Sequence, residues 1–530
     1  MYERPNYREI IKGIEEDCAG NISEYARAIG HKRRIVSYWY KDALLKRDEQ
    51  ELKDQLGVFD KQVYIITAAQ IDTDIHKGFF KNLLKLKEVY NAELMIPGVT
   101  YNVREENQKN NMGSATCKVI HWLYDQKVQP YLMNDNVRLN RKIEVLGKLN
   151  ILPTAVNPLS GYQSFTGERS AILPHCKIAL ESVPTRPGKL AKFLLTSGFC
   201  TVPNFIQKNA GIKGEFHHQL GAVIVEVIDE KQFHVRHVLA EEDGSFYDLI
   251  DYYQDGQVTT GHRAEALVYG DIHHINIDPV VEEATWGKEG LAEFLDPKNQ
   301  VFHDVLDFKI RNHHNRDNPN FMKMNCTKSV QYEVQSSLEF IQAVEREDCN
   351  SYVVKSNHDH AFTRWVQECS AFDEPDMDNA AFLSIMQAAM YQGMIKHPEK
   401  SFDAFIQCSK TLNLEKTKFL DQDESLNIDG VECGMHGDAG LNGGRGTLKS
   451  FAKIGCKATV GHSHSAGIFE GTYQVGCSCK IKADYTRGPS SWSHTHCIQY
   501  PNGKRTLITC INGQFFGERP EGLKQLTLKL

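Results

Sequence analysis

The feature that most constrains this chain is a pattern that occurs five times in its C-terminal half. A short apolar run, typical of a buried strand, ends each time in a cluster of polar residues rich in Asp, Asn and His. Open α/β sheets bind ligands at the carboxyl ends of their strands, so we predict that these clusters meet at one site. The clusters are, in chain order, Gly270-Asp271-Ile272-His273, His303-Asp304-Val305-Leu306-Asp307, Ser356-Asn357-His358-Asp359, Met435-His436-Gly437-Asp438 and Gly461-His462-Ser463-His464.

The segments between the clusters have the spacing of amphipathic helices. Residues 330–346 place apolar side chains every three or four positions, and residues 447–454 do the same over a shorter stretch. Strands that alternate with helices indicate an α/β fold. One His after one strand is usually a polar loop residue, but five clusters in succession predict a metal site. Mixed Asp, Asn and His ligands suit Mn²⁺ better than Ca²⁺.

The order of these clusters resembles the calcineurin-like metallophosphoesterase superfamily over roughly residues 263–530. That pattern runs Asp-x-His, Gly-Asp, Gly-Asn-His-Asp/Glu, a lone His, and Gly-His-x-His. The resemblance implies a β-sandwich flanked by helices. Two positions depart from the pattern, because His303 and Ser356 stand where the family has glycine. Neither glycine supplies a side-chain ligand, so we expect the site to survive both changes.

The resemblance implies two divalent cations, Mn²⁺ in the first place and Mg²⁺ as the alternative, about 3.5–4 Å apart. His358 would stabilise the transition state or protonate the leaving oxygen, and Asp359 would orient its imidazole. Asp304 would bridge the cations, although Asp307 in the same cluster remains an alternative. The implied ligands are Asp271, His273, Asp304 and His464 for one cation, and Asp304, Asn357, His436 and His462 for the other.

The length of 530 residues suggests two or three domains. We predict a helical segment over residues 1–57, an α/β accessory domain of unknown role over 58–262, and the catalytic domain over 263–530. In the first, Ala26, Gly30 and Val36 have the spacing of a helix-turn-helix. Lys32, Arg33 and Arg34 would begin the second helix and meet DNA phosphates. The alternative is a helical hairpin used for packing or homo-oligomerisation.

Several further polar groups allow two interpretations. Arg311 and His313, followed by His314, would contact the scissile strand or form a hydrogen-bonded loop. The glycine-rich stretch 440–446 with Arg445 would bind phosphate or act as a flexible loop. We interpret the Gln70, Asp72, Asp74 and His76 group as a polar loop, and His217, His218, His494 and His496 as structural.

Composition narrows the class of protein. The net charge of −7 argues against a protein that coats nucleic acid, but allows a local basic groove. The 14 cysteines include no Cys-x-x-Cys pair, which favours free thiols in a reducing compartment. We find no signal-peptide pattern and no apolar run of about 18 residues, so we expect no membrane association and a cytoplasmic location. For a phage-encoded chain this would be the host cytoplasm.

The same type of metal site serves phosphatases, nucleotidases and nucleases. The chain lacks the Gly-Asp-x-x-Asp-Arg-Gly and Gly-Asn-His-Glu motifs of protein phosphatases. Its Asn-His-Asp motif and the DNA-binding candidate favour the nuclease branch. In layout, the chain resembles the pre-early deoxyribonucleases by which tequintavirus-type phages degrade host DNA, which implies double-stranded DNA as substrate. The alternatives are a metallophosphatase or nucleotidase acting on a small molecule or protein, and a non-catalytic DNA-binding protein with a vestigial fold. The full ligand set argues against the latter.

Overall fold

A computed structural model describes residues 5–37, 39–41, 43–44, 62–103, 121–186, 189, 191–482 and 488–527. The predicted boundary at residues 57 and 58 lies outside these ranges. The fold is mixed α/β, with several sheets and helices on their faces. Within the described residues, we find no helix whose length and hydropathy would let it span a membrane.

The strands of the described residues are short, and most of them are buried. In chain order they are β1 Gln62–Ile66, β2 Ala69–Gln70, β3 Glu93–Val99, β4 Leu132–Met133, β5 Asn136–Arg138, β6 Ile143–Leu146, β7 Ser170–Leu173, β8 Leu180–Val183, β9 Lys192–Thr196, β10 Gly221–Val227, β11 Phe233–Leu239, β12 Phe246–Asp248, β13 Asp251–Gln254, β14 Gln257–Thr259, β15 Ala266–Val268, β16 Asn299–Phe302, β17 Asn350–Val353, β18 Thr417–Phe419, β19 Asn427–Ile428, β20 Val431–Glu432, β21 Lys457–Val460, β22 Gly467–Phe469, β23 Thr472–Gln474, β24 Thr495–Gln499 and β25 Arg505–Thr509.

The helices concentrate in the second half of the chain. They are α1 Tyr7–Lys12, α2 Ile22–Ala28, α3 Lys77–Tyr90, α4 Asn209–Phe216, α5 Pro279–Trp286, α6 Leu291–Leu295, α7 Pro319–Asn325, α8 Val330–Val344, α9 Asn357–Glu368, α10 Met377–Lys396, α11 Ala404–Ser409, α12 Leu448–Phe451 and α13 Glu521–Thr527. One π-helical turn covers Gly13–Asp17, and short 3₁₀ turns cover His121–Leu123, Gln129–Tyr131, His274–Asn276 and Leu441–Gly443.

The sheet that positions the metal-ligand clusters has the strand order β18-β17-β16-β15-β24-β25, and we call it the central sheet. Its strands β15 to β18 are parallel, β24 runs antiparallel to β15, and β25 runs antiparallel to β24. Side chains alternate between its faces, as the twofold period of a strand requires. Leu267 and Phe302 pack among the helices, whereas Val268 and Val301 face the core shared with a second sheet.

The second sheet has ten strands in the order β19-β20-β21-β23-β22-β8-β9-β7-β6-β5, and we call it the long sheet. Its join lies between β22 and β8, where Gly467 pairs with Glu181 and Ile468 with Leu180. The sheet therefore contains strands from both sides of the predicted boundary at residues 262 and 263. That boundary does not coincide with a break between sheets, because strands β5 to β9 form one layer with strands of the C-terminal half.

A third sheet, with the order β11-β10-β1-β3-β2 and β4 paired to β3, contains the predicted βαβ unit. Helix α3 connects β1 to the parallel strand β3, as its amphipathic spacing predicts. The antiparallel meander β12-β13-β14 follows. The predicted accessory segment therefore contributes to two sheets that lie on opposite sides of a shared core.

The N-terminal residues form a helical hairpin. Ala26 and Val36 are buried in one apolar cluster, and Gly30 between them has a φ of +70°. Residues 33–37 are helical. The side chains of Lys32, Arg33 and Arg34 are exposed at the start of this helical segment. Both interpretations of the segment require this hairpin, so DNA binding by it stays a prediction.

Candidate metal centre

The five predicted clusters follow strands of two neighbouring sheets. Asp271, Asp304 and His358 come after the parallel strands β15, β16 and β17 of the central sheet. His436 follows β20 and His462 follows β21, which are parallel neighbours in the long sheet. Because the sheets share one core, the ends of these strands lie close together.

A first group joins Asp271, His273, Asp304 and His464, and its ligand atoms all lie within 4.8 Å of one another. The Nε2 atom of His464 is 3.1 Å from Asp271 Oδ2. The Nε2 atom of His273 is 3.0 Å from the Nε2 atom of His464 and 3.6 Å from Asp304 Oδ2. These are the four residues predicted for one cation.

A second group joins Asp304, His436 and His462, again with ligand atoms within 4.8 Å. The Nε2 atom of His436 is 3.1 Å from Asp304 Oδ2. Asn357 begins helix α9 next to His358, and its Oδ1 atom is buried without a hydrogen-bond partner. Asp304 belongs to both groups, which is the arrangement predicted for a bridging carboxylate.

The residues of both groups fit a divalent cation because their polar atoms are buried and unsatisfied. Both carboxylate oxygens of Asp271 and of Asp304 make no hydrogen bond among the described residues, and neither does His436 Nε2. An unsatisfied buried polar group costs about 1–3 kcal/mol, more when it is charged. Carboxylate and imidazole lone pairs that converge in this way are the expected environment of a bound cation.

Electrostatics keep the shared carboxylate ionised. Burial alone raises the pKa of Asp304, but the facing imidazoles of His358, His436 and His273 outweigh it and hold that pKa well below its ordinary value. Burial also raises the pKa of Asp271, but the His464 imidazole and other nearby imidazoles outweigh burial, so that this pKa lies below its ordinary value. Both side chains are therefore present as carboxylates, the form that binds a cation.

The backbone at these residues is strained. His273, Asp304 and His464 have φ values of 44°, 47° and 58°, a region that non-glycine residues rarely adopt. His462 has a φ of 72°. Gly461 precedes it because a Cβ there would lie 2.4 Å from Asp271 Oδ1. Strain of this kind is typical of functional sites, where the surrounding structure fixes the side chains.

Asp307 lies behind the first group. Its Oδ1 atom is 3.1 Å from His273 Nδ1, and its Oδ2 atom accepts a hydrogen bond from Asn276. A carboxylate on the far nitrogen of a ligand histidine orients the ring and raises its basicity. Asp304 is common to both ligand groups, whereas Asp307 contacts His273 and forms another group with His273 and His358 whose ligand atoms lie within 4.8 Å of one another. These contacts favour Asp304 as the bridging carboxylate, and Asp307 stays the alternative.

We expected Asp359 to orient His358, and the structure corrects this. The Oδ2 atom of Asp359 accepts from the backbone N–H of Ser356, and Ser356 Oγ accepts from the backbone N–H of Asp359. This reciprocal pair caps helix α9. The Nδ1 atom of His358 instead contacts the backbone carbonyl of Asp307. Burial raises the pKa of Asp359 to about 8, in keeping with a structural carboxyl group.

The predicted nucleic-acid contacts have different outcomes. Arg311 is buried, and its guanidinium binds both Glu374 oxygens and the carbonyl of Cys326, so the prediction of a DNA contact was wrong. The imidazole of His313 is half-buried and lies against the tilted ring of His314 with ring centroids 3.9 Å apart, and its contact with DNA stays a prediction. Arg445 is exposed in the glycine-rich loop. Contact of Arg445 with phosphate stays a prediction.

The other polar groups make structural contacts, most of them hydrogen bonds. Gln70 donates to the carbonyls of Tyr101 and Asn204. His496 accepts from the N–H of Gly270 through Nδ1, and its Nε2 contacts Thr285 Oγ1. His76 caps α3 by accepting from Phe79 N. His494 Nε2 contacts the carbonyl of Cys479, His217 lies 3.7 Å from Glu470, and His218 packs edge-on against Phe199.

Two features of the site were not expected from the sequence. Cys477 and Cys479 lie with His464 in a further group whose ligand atoms are within 4.8 Å of one another. The ring of Trp492 packs edge-on against His464, with centroids 4.1 Å apart. The Cys-x-Cys spacing was visible, but nothing in the sequence ties residues 477–479 to the histidine cluster. The two are brought together by a β-bridge between Asp271 and Cys477, which are far apart in the sequence.

Comparison with known proteins identifies a phage relative. The chain is 36% identical to "Protein A1" of Escherichia phage T5 over 478 residues, which cover 87% of this chain and 84% of that protein. No family model matches the chain, and no solved structure matches it. A relative from phage T5 is consistent with the resemblance to tequintavirus-type phage proteins. On this identity and coverage, the chain belongs to the family of Protein A1 of Escherichia phage T5.

Proposed function

We propose that this chain is a two-metal-dependent deoxyribonuclease with a catalytic half of the calcineurin-like metallophosphoesterase type. The observation that supports this most directly is the pair of buried ligand groups that share Asp304. A carboxylate common to both groups can bridge two adjacent cations, and the unsatisfied oxygens of Asp304 are placed to do so. Ligands from five separate segments form this site, which is more than a vestigial fold would retain.

A pair of divalent cations, when bound, activates a water and neutralises the phosphate charge in an in-line displacement. The buried residues of the two ligand groups would hold such a pair and would shield it from bulk water. Asp271, His273 and Asp304 are each at most 2% exposed. The mixture of imidazole and carboxylate ligands favours Mn²⁺, with Mg²⁺ as the alternative.

His358 is the residue that we assign to proton transfer. Its side chain is 19% exposed, and its Nε2 atom lies 3.9 Å from Asp304 Oδ2. With Nδ1 at the carbonyl of Asp307, the tautomer that carries a proton on Nδ1 leaves Nε2 free to exchange protons at the site. His358 would then stabilise the transition state or protonate the leaving oxygen.

The assignment to DNA is supported by the phage relative and by the surface around the centre. Lys480 and Lys482 are exposed directly after Cys479, and Arg445 is exposed after His436. Cationic side chains there would contact the phosphate backbone. The partly exposed Trp492 beside His464 offers a face on which a base can stack. In an infected cell, the substrate would be host DNA.

A cleavage assay tests this function. The full chain is incubated with plasmid and linear duplex DNA in the presence of Mn²⁺, Mg²⁺ or EDTA. We expect fragmentation that depends on the added cation and stops with EDTA. Hydrolysis of p-nitrophenyl phosphate or nucleotides without DNA cleavage would show a phosphatase or nucleotidase instead. DNA retention in a gel-shift assay without any hydrolysis would show a vestigial, DNA-binding protein.

A further inference from the structure

We propose that His464, Cys477 and Cys479 form an additional, regulatory site for a thiophilic divalent cation of the Zn²⁺ class. The site shares His464 with the proposed catalytic centre, so its inhibitory role rests on the proposed function. Its ligand atoms lie within 4.8 Å of one another, and the three residues are 5%, 0% and 2% exposed. A tetrahedral zinc site with bonds of about 2.0–2.3 Å brings its ligand atoms to within roughly 4 Å. A small adjustment therefore closes the group around one ion.

The backbone fixes this thiol pair relative to the catalytic ligands. Cys477 and Asp271 form a parallel β-bridge, and Cys479 and Ile277 form an antiparallel one. The N–H of Ser478 donates to the carbonyl of Asp271 at 2.7 Å. In an extended segment, residues two apart point to the same side, so both sulfur atoms face the same way. The thiols are therefore presented by a rigid segment rather than by a loose loop.

The chemistry of the ligands separates this site from the catalytic one. Two sulfurs and one imidazole select Zn²⁺, Cd²⁺ or Co²⁺, whereas the carboxylate-rich groups around Asp304 suit Mn²⁺ or Mg²⁺. Binding releases the thiol protons to solvent, since the thiolate is the ligand form. The imidazole of His464 also lies 3.1 Å from Asp271. A thiophilic cation that binds this imidazole would remove His464 from the group of Asp271, His273 and Asp304. Binding of the catalytic cation there would become weaker, and turnover would be inhibited.

Optical titration of the full chain tests the site. The protein is loaded with Mn²⁺, kept reduced with a phosphine, and titrated with Co²⁺ or Cd²⁺. We expect one equivalent to produce a sulfur-to-metal charge-transfer band that the double variant Cys477→Ala, Cys479→Ala lacks. Cys497→Ala is the matched control, because Cys497 is equally buried but lies in β24 outside the group. No band in the native chain, or an equal band in the double variant, overturns the proposal.

A second measurement needs no variant and so does not depend on its folding. Alkylation with iodoacetamide, mapped by mass spectrometry, is followed until Cys477 and Cys479 of the cation-free chain are at least half modified through local opening, and is repeated with one equivalent of Cd²⁺. We expect Cd²⁺ to slow modification of Cys477 and Cys479 by about tenfold or more, as binding of the thiolates requires. Modification of exposed Cys456 should not change. Equal rates at Cys477 and Cys479 with and without Cd²⁺ would contradict the site.

The inhibitory role is tested by DNA cleavage in Mn²⁺ with increasing Zn²⁺. We expect stoichiometric Zn²⁺ to reduce the rate of the native chain about tenfold, with a smaller reduction in the double variant relative to its own rate. Equal sensitivity of the two would exclude a regulatory role for the thiols. The spectroscopic and alkylation results do not depend on catalysis. A chain that shows the band but no DNA cleavage would refute the proposed function and leave the thiol site intact.

Discussion

A polar cluster in the N-terminal half of the chain looks like the five clusters of the C-terminal half in sequence but differs from them in structure. Gln70, Asp72, Asp74 and His76 follow a buried strand of the N-terminal half, as the five clusters do in the C-terminal half. Gln70 and His76 are satisfied by backbone groups, and Asp74 is exposed. The oxygens of Asp271 and Asp304 are buried and make no hydrogen bond within the described residues. Unsatisfied lone pairs that converge, rather than residue type, therefore distinguish the metal centre.

Backbone strain does not make the same distinction. Asp72 has a φ of 50°, close to the 47° of Asp304. Asp tolerates this region because its short side chain bonds locally, so one such residue carries little information. At the proposed centre, three histidines share the strained conformation with Asp304. The concentration of strain at one point, together with burial, is what indicates function.

The sharpest test of this contrast pairs Asp304→Ala with Asp74→Ala. Loss of the shared carboxylate should weaken both cations and lower kcat/KM by about 10³-fold or more, since metal catalysis contributes several kcal/mol. Asp74 is exposed in the polar loop, so its variant should cleave DNA as the native chain does. Metal content and kcat/KM of both variants are measured. If Asp304→Ala kept its full metal content, Asp304 would not be the bridging residue, and Asp307 would be the next candidate.

The second test compares histidines from the two clusters. His358→Ala should retain its metals and lose about 10²–10⁴-fold in kcat, the usual contribution of a positioned proton donor. His76→Ala should leave kcat unchanged and lower the free energy of unfolding by about 1 kcal/mol, because it removes the cap of α3. Kinetics and urea unfolding report the two quantities. Two bound ions with native kcat in His358→Ala would refute the assigned role.

The third test separates the two supporting carboxylates. Asp307→Asn should weaken metal binding by about 10–100-fold, as loss of a carboxylate behind a ligand histidine does. Asp359→Asn should act mainly on stability, by about 0.5–2 kcal/mol, because Asp359 caps helix α9. Mn²⁺ affinity and unfolding free energy are measured for each. The reverse pattern would restore Asp359 as the orienting group.

The smallest functional effect is expected in the polar loop itself. Gln70→Ala leaves the carbonyls of Tyr101 and Asn204 without their donor, at a cost of about 1–3 kcal/mol in unfolding free energy. Metal content and DNA cleavage should remain those of the native chain at temperatures where the variant is folded. A loss of bound metal in this variant would break the contrast between the two clusters.

The sequence predicted the convergence of the site better than the assignments within it. The prediction that several strands end at one edge of a sheet brought together Asp271, His273, Asp304, His436, His462 and His464. It was possible because each of these residues follows an apolar run that is recognisable as a buried strand. Asp304 and Asp307 follow the same strand, so only the turn after β16 decides which one faces both groups. Asp359 looked like a partner of His358, but a carboxylate three residues after Ser356 also caps a helix, and capping is the role it takes.

Long-range pairing explains what the sequence did not predict. Arg311 is bound by Glu374, 63 residues away, which no local pattern indicates. The long sheet joins β8 to β22 across almost 300 residues, so a division of the chain by local composition did not reveal the shared layer. Cys477 and Cys479 reach the centre through the same kind of distant pairing.

Anomalous diffraction from crystals grown with Mn²⁺ tests the central claim most directly. We predict two manganese peaks about 3.5–4 Å apart with Asp304 between them. One peak should be bound by Asp271, His273 and His464, and the other by Asn357, His436 and His462. A single peak, or two peaks that do not share Asp304, would contradict a two-metal centre in this protein.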